Sequence, residues 1–207
     1  HIIVNLPAYE LIVYEEGEAK MSMPVIIGTR ERPTPVTTGL LHTVVFNPFW
    51  TVPRKIAVHD LLPRQRRNPG YLTAHRIRVF ADWSGAQELD PHAIDWQALN
   101  QDNFPYMLRQ DPGPQNALGR VKFLFSNRFS VYLHDTPDEA LFAESVRAYS
   151  SGCIRVEEPH RLAAYLLQGE QGWLWDEGMV EAVIRTRQTQ EVTLSAPLPV
   201  YLLYLTV

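Results

Sequence analysis

Leu11-Ile12-Val13-Tyr14, then Glu15-Glu16-Gly17, then Met21 to Ile27: this stretch decides the class of fold. Two β-rich runs separated by a polar, glycine-ended step read as a β-hairpin. Working outward, Ile2 to Val4 is a strand before it and Leu40 to Phe46 one after it, with a polar Gly28–Gly39 loop between. The opening is therefore all-β. Strand character returns at Val121–Phe125 and Phe129–Leu133, and closes the chain at Glu191–Leu194 and Val200–Val207. Three helices are expected in the second half. One covers Asp138–Glu144. One has Pro159 in its first turn and runs through His160–Leu167. One runs from an Asp176 cap to about Arg185.

The middle has a different texture. From Ala57 to about Pro112 prolines recur and only two short helices are expected, Lys55–Leu62 and Asp95–Asn100. A structureless loop of that length is uncommon inside a compact domain. The expected organisation is a β-rich α+β domain of residues 1–56 and 112–207, interrupted by a small subdomain at 57–111. Sixteen prolines and eleven glycines among 207 residues favour turns and short strands over a helix bundle.

Composition excludes several classes of function. At 45% hydrophobic and 20% charged residues the chain can build a core. No apolar run approaches the ~20 residues of a membrane-spanning helix. A net charge of −4 argues against a general nucleic-acid binder. The single cysteine, Cys153, excludes an intramolecular disulfide and a multi-cysteine zinc site. The chain begins at His1 and enters a strand directly, which reads as a processed or excised piece and says nothing about compartment.

Chemistry concentrates in Tyr132-Leu133-His134-Asp135 and Ser150-Ser151-Gly152-Cys153-Ile154-Arg155. A catalytic thiol needs a base, because a free thiol near pKa ~8.5 is only a few per cent thiolate at neutrality. It also needs backbone N–H groups facing the developing oxyanion. His134, at a strand end, is the candidate base. The Gly152 and Cys153 amides are candidate oxyanion donors. Neighbours on a strand point to opposite faces, so the Asp135 backbone carbonyl, rather than its carboxylate, is the better orienter of the imidazole.

Those two motifs together resemble the active-site signature of the L,D-transpeptidases (YkuD domain). The segments Asn47–Pro53, Pro112–Phe123 and Val4–Pro7 resemble the long periplasmic branch with an inserted capping subdomain. Many members carry His-Gly and Ser-His-Gly-Cys where this chain has His134-Asp135 and Ser150-Ser151-Gly152-Cys153. The resemblance implies a β-sandwich-like catalytic domain with a few helices, acting in the bacterial cell envelope without metal or organic cofactor. Cys153 would attack the L-centre carbonyl of the diamino acid at position three of a peptidoglycan tetrapeptide stem, releasing D-alanine. A diamino-acid amine of an acceptor stem would resolve the thioester into a 3-3 cross-link. Carbapenem-type β-lactams would acylate the same sulfur. The same thioester taken by water or by a lipoprotein lysine is the rival within enzymology; an idle peptidoglycan-binding domain is the rival outside it.

Other residues keep two readings. Arg155 either binds a substrate carboxylate or pins the nucleophile loop through an internal salt bridge. Ser151 contacts the stem peptide or caps backbone, and Ser150 is read as structural. Tyr132 lines the cleft or the core. His59-Asp60 and His92 lack helical zinc spacing and read as solvated loop residues. Arg64, Arg66 and Arg67 read as a solvated face, and Tyr71, Trp83 and Trp96 as a minor core.

Overall fold

The computed structural model describes residues 1–206. Thirteen strands are present among them: β1 (Ile2–Asn5), β2 (Glu10–Glu15), β3 (Glu18–Gly28), β4 (Thr37–Phe46), β5 (Trp50–Thr51), β6 (Ile77–Phe80), β7 (Glu88–Leu89), β8 (Met107–Gln110), β9 (Val121–Phe125), β10 (Leu133–His134), β11 (Ala148–Ser150), β12 (Ile154–Val156) and β13 (Gln190–Leu203). They fall into two compact units, 1–48 with 118 onward, and Phe49–Ala117.

The first unit is a mixed sheet in the order β11-β3-β12-β10-β9-β4-β13-β1-β2, and β2 pairs again with β3. The ladder thus closes on itself through β3, with the short β11 left as an outer strand on it. Alternation supplies the core: on β2 Leu11 and Val13 are buried between partly exposed neighbours, and on β9 Val121, Phe123 and Phe125 are buried between Lys122 and Leu124. The helices Pro159–Leu166 and Glu177–Arg185 pack on that core through Leu162, Ala163, Val180 and Val183. Asp176 caps the second by accepting the Met179 N–H at 2.7 Å. Burying a single leucine such as Leu133, fully inaccessible, contributes about 1.5–3 kcal/mol.

The second unit has its own four-stranded sheet, β5-β8-β6-β7, and its own core of Val52, Leu61, Leu72, Val79, Trp96 and Leu108. Its compact boundary lies outside the 57–111 expected from composition because Trp50 and Thr51 pair with Gln110 and Arg109. Both ends of the insertion are stitched into that sheet.

Several local expectations are corrected. Asp95–Asn100 is not helical: the Asp95 carboxylate accepts the Gln97 N–H at 3.1 Å, and Trp96 donates its indole N–H to the Pro91 carbonyl at 2.7 Å, so side chains hold a turn. The helical stretch from Lys55 extends over Arg54–Arg67 with a π-turn at Ala57–Leu61. Of Phe129–Leu133 only Leu133 is strand. Asn127 accepts the N–H groups of Phe129 and Val131 and donates to the carbonyls of Phe125 and Val131, and Ser130 has φ 57°. Asp138–Glu144 contains a 3-10 turn, Glu139–Ala143. The two closing strands are one, β13, whose pairing with β4 slips between Thr193 and Leu198. It ends at Leu203, and Val207 lies outside the described residues.

Arg64 and Arg67 are exposed, as expected, while Arg66 is half-buried. Its guanidinium donates to the carbonyls of Trp96 and Leu99, while Arg64 donates to the Tyr71 hydroxyl at 2.9 Å. Trp96 belongs to the second core with Tyr71 against it, but Trp83 is exposed.

Candidate active site

Three adjacent strands build the site. In β9, β10 and β12, Phe123, Leu133 and Ile154 point into the core and are fully buried. Register pairs Leu133 with Phe123 and with Ile154. Their successors and predecessors therefore share the opposite face. His134 pairs with Lys122 on one side and Arg155 on the other, giving a cross-strand row Lys122–His134–Arg155. Tyr132 and Cys153 stand two residues back on the same face, joined by the Ile154 N–H to Tyr132 carbonyl bond of 3.1 Å. Cys153 and His134 are thus diagonal neighbours on that face.

His134 is buried, and its Nδ1 lies 2.5 Å from the Asp135 carbonyl oxygen. A carbonyl only accepts, so Nδ1 carries the proton and Nε2 keeps its lone pair. Burial, with Arg155 and Lys122 adding repulsion, lowers the imidazole from 6.5 to about 3, against the pull of the Asp135 carbonyl. The ring is neutral at physiological pH. The Asp135 carboxylate has a different task. It accepts the N–H groups of Arg120 at 2.7 Å and Thr136 at 2.6 Å, and burial raises its pKa despite them. Gly119 makes room for it: φ is 61°, and a Cβ there would lie 2.3 Å from the Asp135 carboxylate.

Cys153 is half-buried against the core edge, not sealed within it. Burial pushes its thiol up. The Tyr132 backbone N–H and hydroxyl oppose that, as do the charges of Lys122 and Arg155. Burial and the same sulfur push the Tyr132 phenol up as well. The Tyr132 ring is edge-on to His134 at 5.7 Å, with Lys122 Nζ over its face at 4.1 Å. Tyr132 is therefore a direct neighbour of the sulfur.

The model of the YkuD L,D-transpeptidase catalytic domain matches residues 1–180. The chain belongs to the L,D-transpeptidase family. A Haemophilus influenzae protein named "Putative L,D-transpeptidase" is 38% identical over 205 residues, covering 99% of this chain. The chain spans 40% of that relative's length. Among solved structures, L,D-transpeptidase 3 from Mycobacterium tuberculosis aligns over 98% of this chain and 60% of its own, at 13% identity and TM-score 0.47. LdtMt1 in complex with imipenem aligns over 98% of this chain and 57% of its own, at 14% identity and TM-score 0.44.

In this L,D-transpeptidase domain one expected oxyanion donor is already engaged. The Gly152 N–H donates to Ser150 Oγ at 3.1 Å. The Cys153 N–H has no hydrogen-bond partner among the described residues. Ser150 Oγ in turn donates to the Cys153 carbonyl at 2.5 Å, the structural role expected of it. The exposed Ser151 hydroxyl accepts from Arg32 Nη1 at 3.0 Å. Arg155 reaches Asp138 at 3.2 Å, while its buried Nε has no partner. No cluster of three or more potential metal ligands exists among the described residues.

Sequence reading missed Lys122, Thr34 and Gly119 at this site. Lys122 carried a readable signal, a lone cation alternating with Val121 and Phe123 on a core strand. Thr34 carried none, since it sits in an irregular loop remote in sequence.

Proposed function

We propose that this domain is a peptidoglycan L,D-transpeptidase with Cys153 as its nucleophile. The observation that supports it most is the arrangement around the sulfur. A neutral imidazole with a free Nε2 shares one sheet face with a half-buried cysteine whose own backbone N–H is uncommitted. Both groups are neutral at rest, so His134 takes the thiol proton as the sulfur attacks the donor carbonyl. Tyr132, Lys122 and Arg155 stabilise the negative sulfur, and the Cys153 N–H receives the oxyanion. Collapse releases the amine of D-alanine, which takes the proton back from His134, and leaves a thioester. The amine of an acceptor stem then attacks the thioester, its proton passes to His134, and the thiolate leaves. The Asp135 carbonyl holds the tautomer throughout.

Gly152 acts through its φ of 116°, which turns the chain at the nucleophile. Tyr132 and Arg155 act on the sulfur, Ser151 stands two residues before it in the chain, and these three are the proposed contacts for the donor stem. The setting is the periplasmic cell envelope, the Phe49–Ala117 unit is the proposed capping subdomain, and carbapenem-type β-lactams are expected covalent inhibitors. Incubation with purified muropeptides followed by mass spectrometry tests the reading. Cross-linked dimers are expected from the native protein and none from Cys153→Ala. Shortened stems alone would assign a carboxypeptidase, and unchanged stems would leave the binding-domain reading.

A further inference from the structure

The loop between β3 and β4 carries a buried hydroxyl, Thr34, that the chemistry above does not use. Its Oγ1 accepts the Gly28 N–H at 2.9 Å and lies 2.9 Å from the Gly152 carbonyl oxygen. An N–H only donates and a carbonyl only accepts, so the threonine proton goes to Gly152. We infer that Thr34 is a positioning residue: by holding the Gly152 carbonyl it aims the Cys153 N–H at the developing oxyanion. The inference rests on the reading of Cys153 as nucleophile.

Three constraints meet at this turn. The Gly152–Cys153 peptide is planar and trans, so its N–H points opposite its C=O, and fixing one end fixes the other. Gly152, at φ 116°, has a permissive backbone that does not by itself fix the direction of the peptide, so its hydrogen-bond partners set it. Ser150 occupies the Gly152 N–H and the Cys153 carbonyl, and Thr34 occupies the Gly152 carbonyl. Of the polar backbone groups on Gly152 and Cys153, the Cys153 N–H alone is left over. An amide whose carbonyl accepts a hydrogen bond is also polarised into a stronger donor. The anchor comes from a segment more than a hundred residues away in the chain, so the oxyanion site exists only in the folded domain.

A loop tether and an oxyanion positioner differ in which reaction they affect. Acylation of Cys153 by imipenem passes through a tetrahedral oxyanion. Alkylation by iodoacetamide displaces iodide from a saturated carbon and needs no oxyanion donor. The test compares native protein, Thr34→Val and Thr34→Ser, each with its unfolding midpoint, in both reactions followed by intact mass. Thr34→Val is expected to lose roughly 10- to 100-fold in acylation rate, below the ~10²–10³ for outright removal of a donor, with alkylation within about twofold of native. Thr34→Ser, which keeps the hydroxyl, is expected to restore acylation. Thr34→Ala serves the same comparison should the valine protein not fold. Native-like acylation in a folded Val or Ala variant overturns the inference, as does a parallel fall in both reactions. Absence of any acyl adduct on Cys153 in the native protein would instead remove the nucleophile reading beneath it.

Discussion

Replacing His134 by glutamine should flatten part of the acid side of the stability profile. The glutamine amide can still donate to the Asp135 carbonyl that now receives Nδ1–H. What it cannot do is titrate. In the unfolded chain the imidazole has its ordinary value of 6.5; in the folded domain burial beside Arg155 and Lys122 lowers it to about 3. The unfolded state therefore binds more protons between these values, and stability falls as pH drops through that window. At about pH 5 the medium is ~1.5 units below the unfolded value, and at ~1.4 kcal/mol per unit the loss is roughly 2 kcal/mol. It approaches about 5 kcal/mol only near the folded value. Asp135 pulls the other way, because a raised carboxyl favours the fold as pH falls. His134 is not among the groups that shift Asp135, so that contribution cancels between the two proteins. The assay is urea unfolding at about pH 7.5 and about pH 5, native against His134→Gln. The native protein should lose about 2 kcal/mol more than the variant between the two conditions. Equal losses, within about 0.5 kcal/mol, would refute the claim that the imidazole is held neutral by its surroundings.

Other outcomes follow from the same geometry. Lys122→Met should raise the pH at which iodoacetamide alkylation of Cys153 reaches half its maximal rate, because the cation favours the thiolate; an unmoved midpoint removes Lys122 from the site's electrostatics. Gly119→Ala combines a positive φ with a Cβ 2.3 Å from the Asp135 carboxylate, so a loss of about 3 kcal/mol is expected in chemical unfolding. A loss under about 1 kcal/mol would show that the Gly119–Asp135 contact relaxes freely. Leu133→Ala, fully buried beneath the site, should cost about 2–5 kcal/mol and slow acylation through the shifted strand.

The sequence by itself determined the class of fold and singled out the candidate thiol and imidazole. Period-two alternation at Leu11–Tyr14 and Val121–Phe125 is a local property, since successive side chains of a strand face opposite ways whatever the strand pairs with. The sulfur is the only thiol in the chain, and the Asp135 carbonyl adjoins His134 covalently, so that contact too was readable. Local side-chain hydrogen bonds defeated the pattern at Asp95–Asn100 and Phe129–Val131, where Asp95 and Asn127 bind backbone that a helix or strand would use. Tertiary structure alone decided which groups surround the sulfur. Strand register placed Lys122 and Arg155 on either side of His134 and brought Tyr132 to Cys153, and register is set by pairing between segments distant in sequence. It also engaged the Gly152 amide with Ser150 and recruited Thr34 from a featureless loop, because a peptide plane takes its direction from whatever holds its carbonyl, and nothing in the order of residues names that holder.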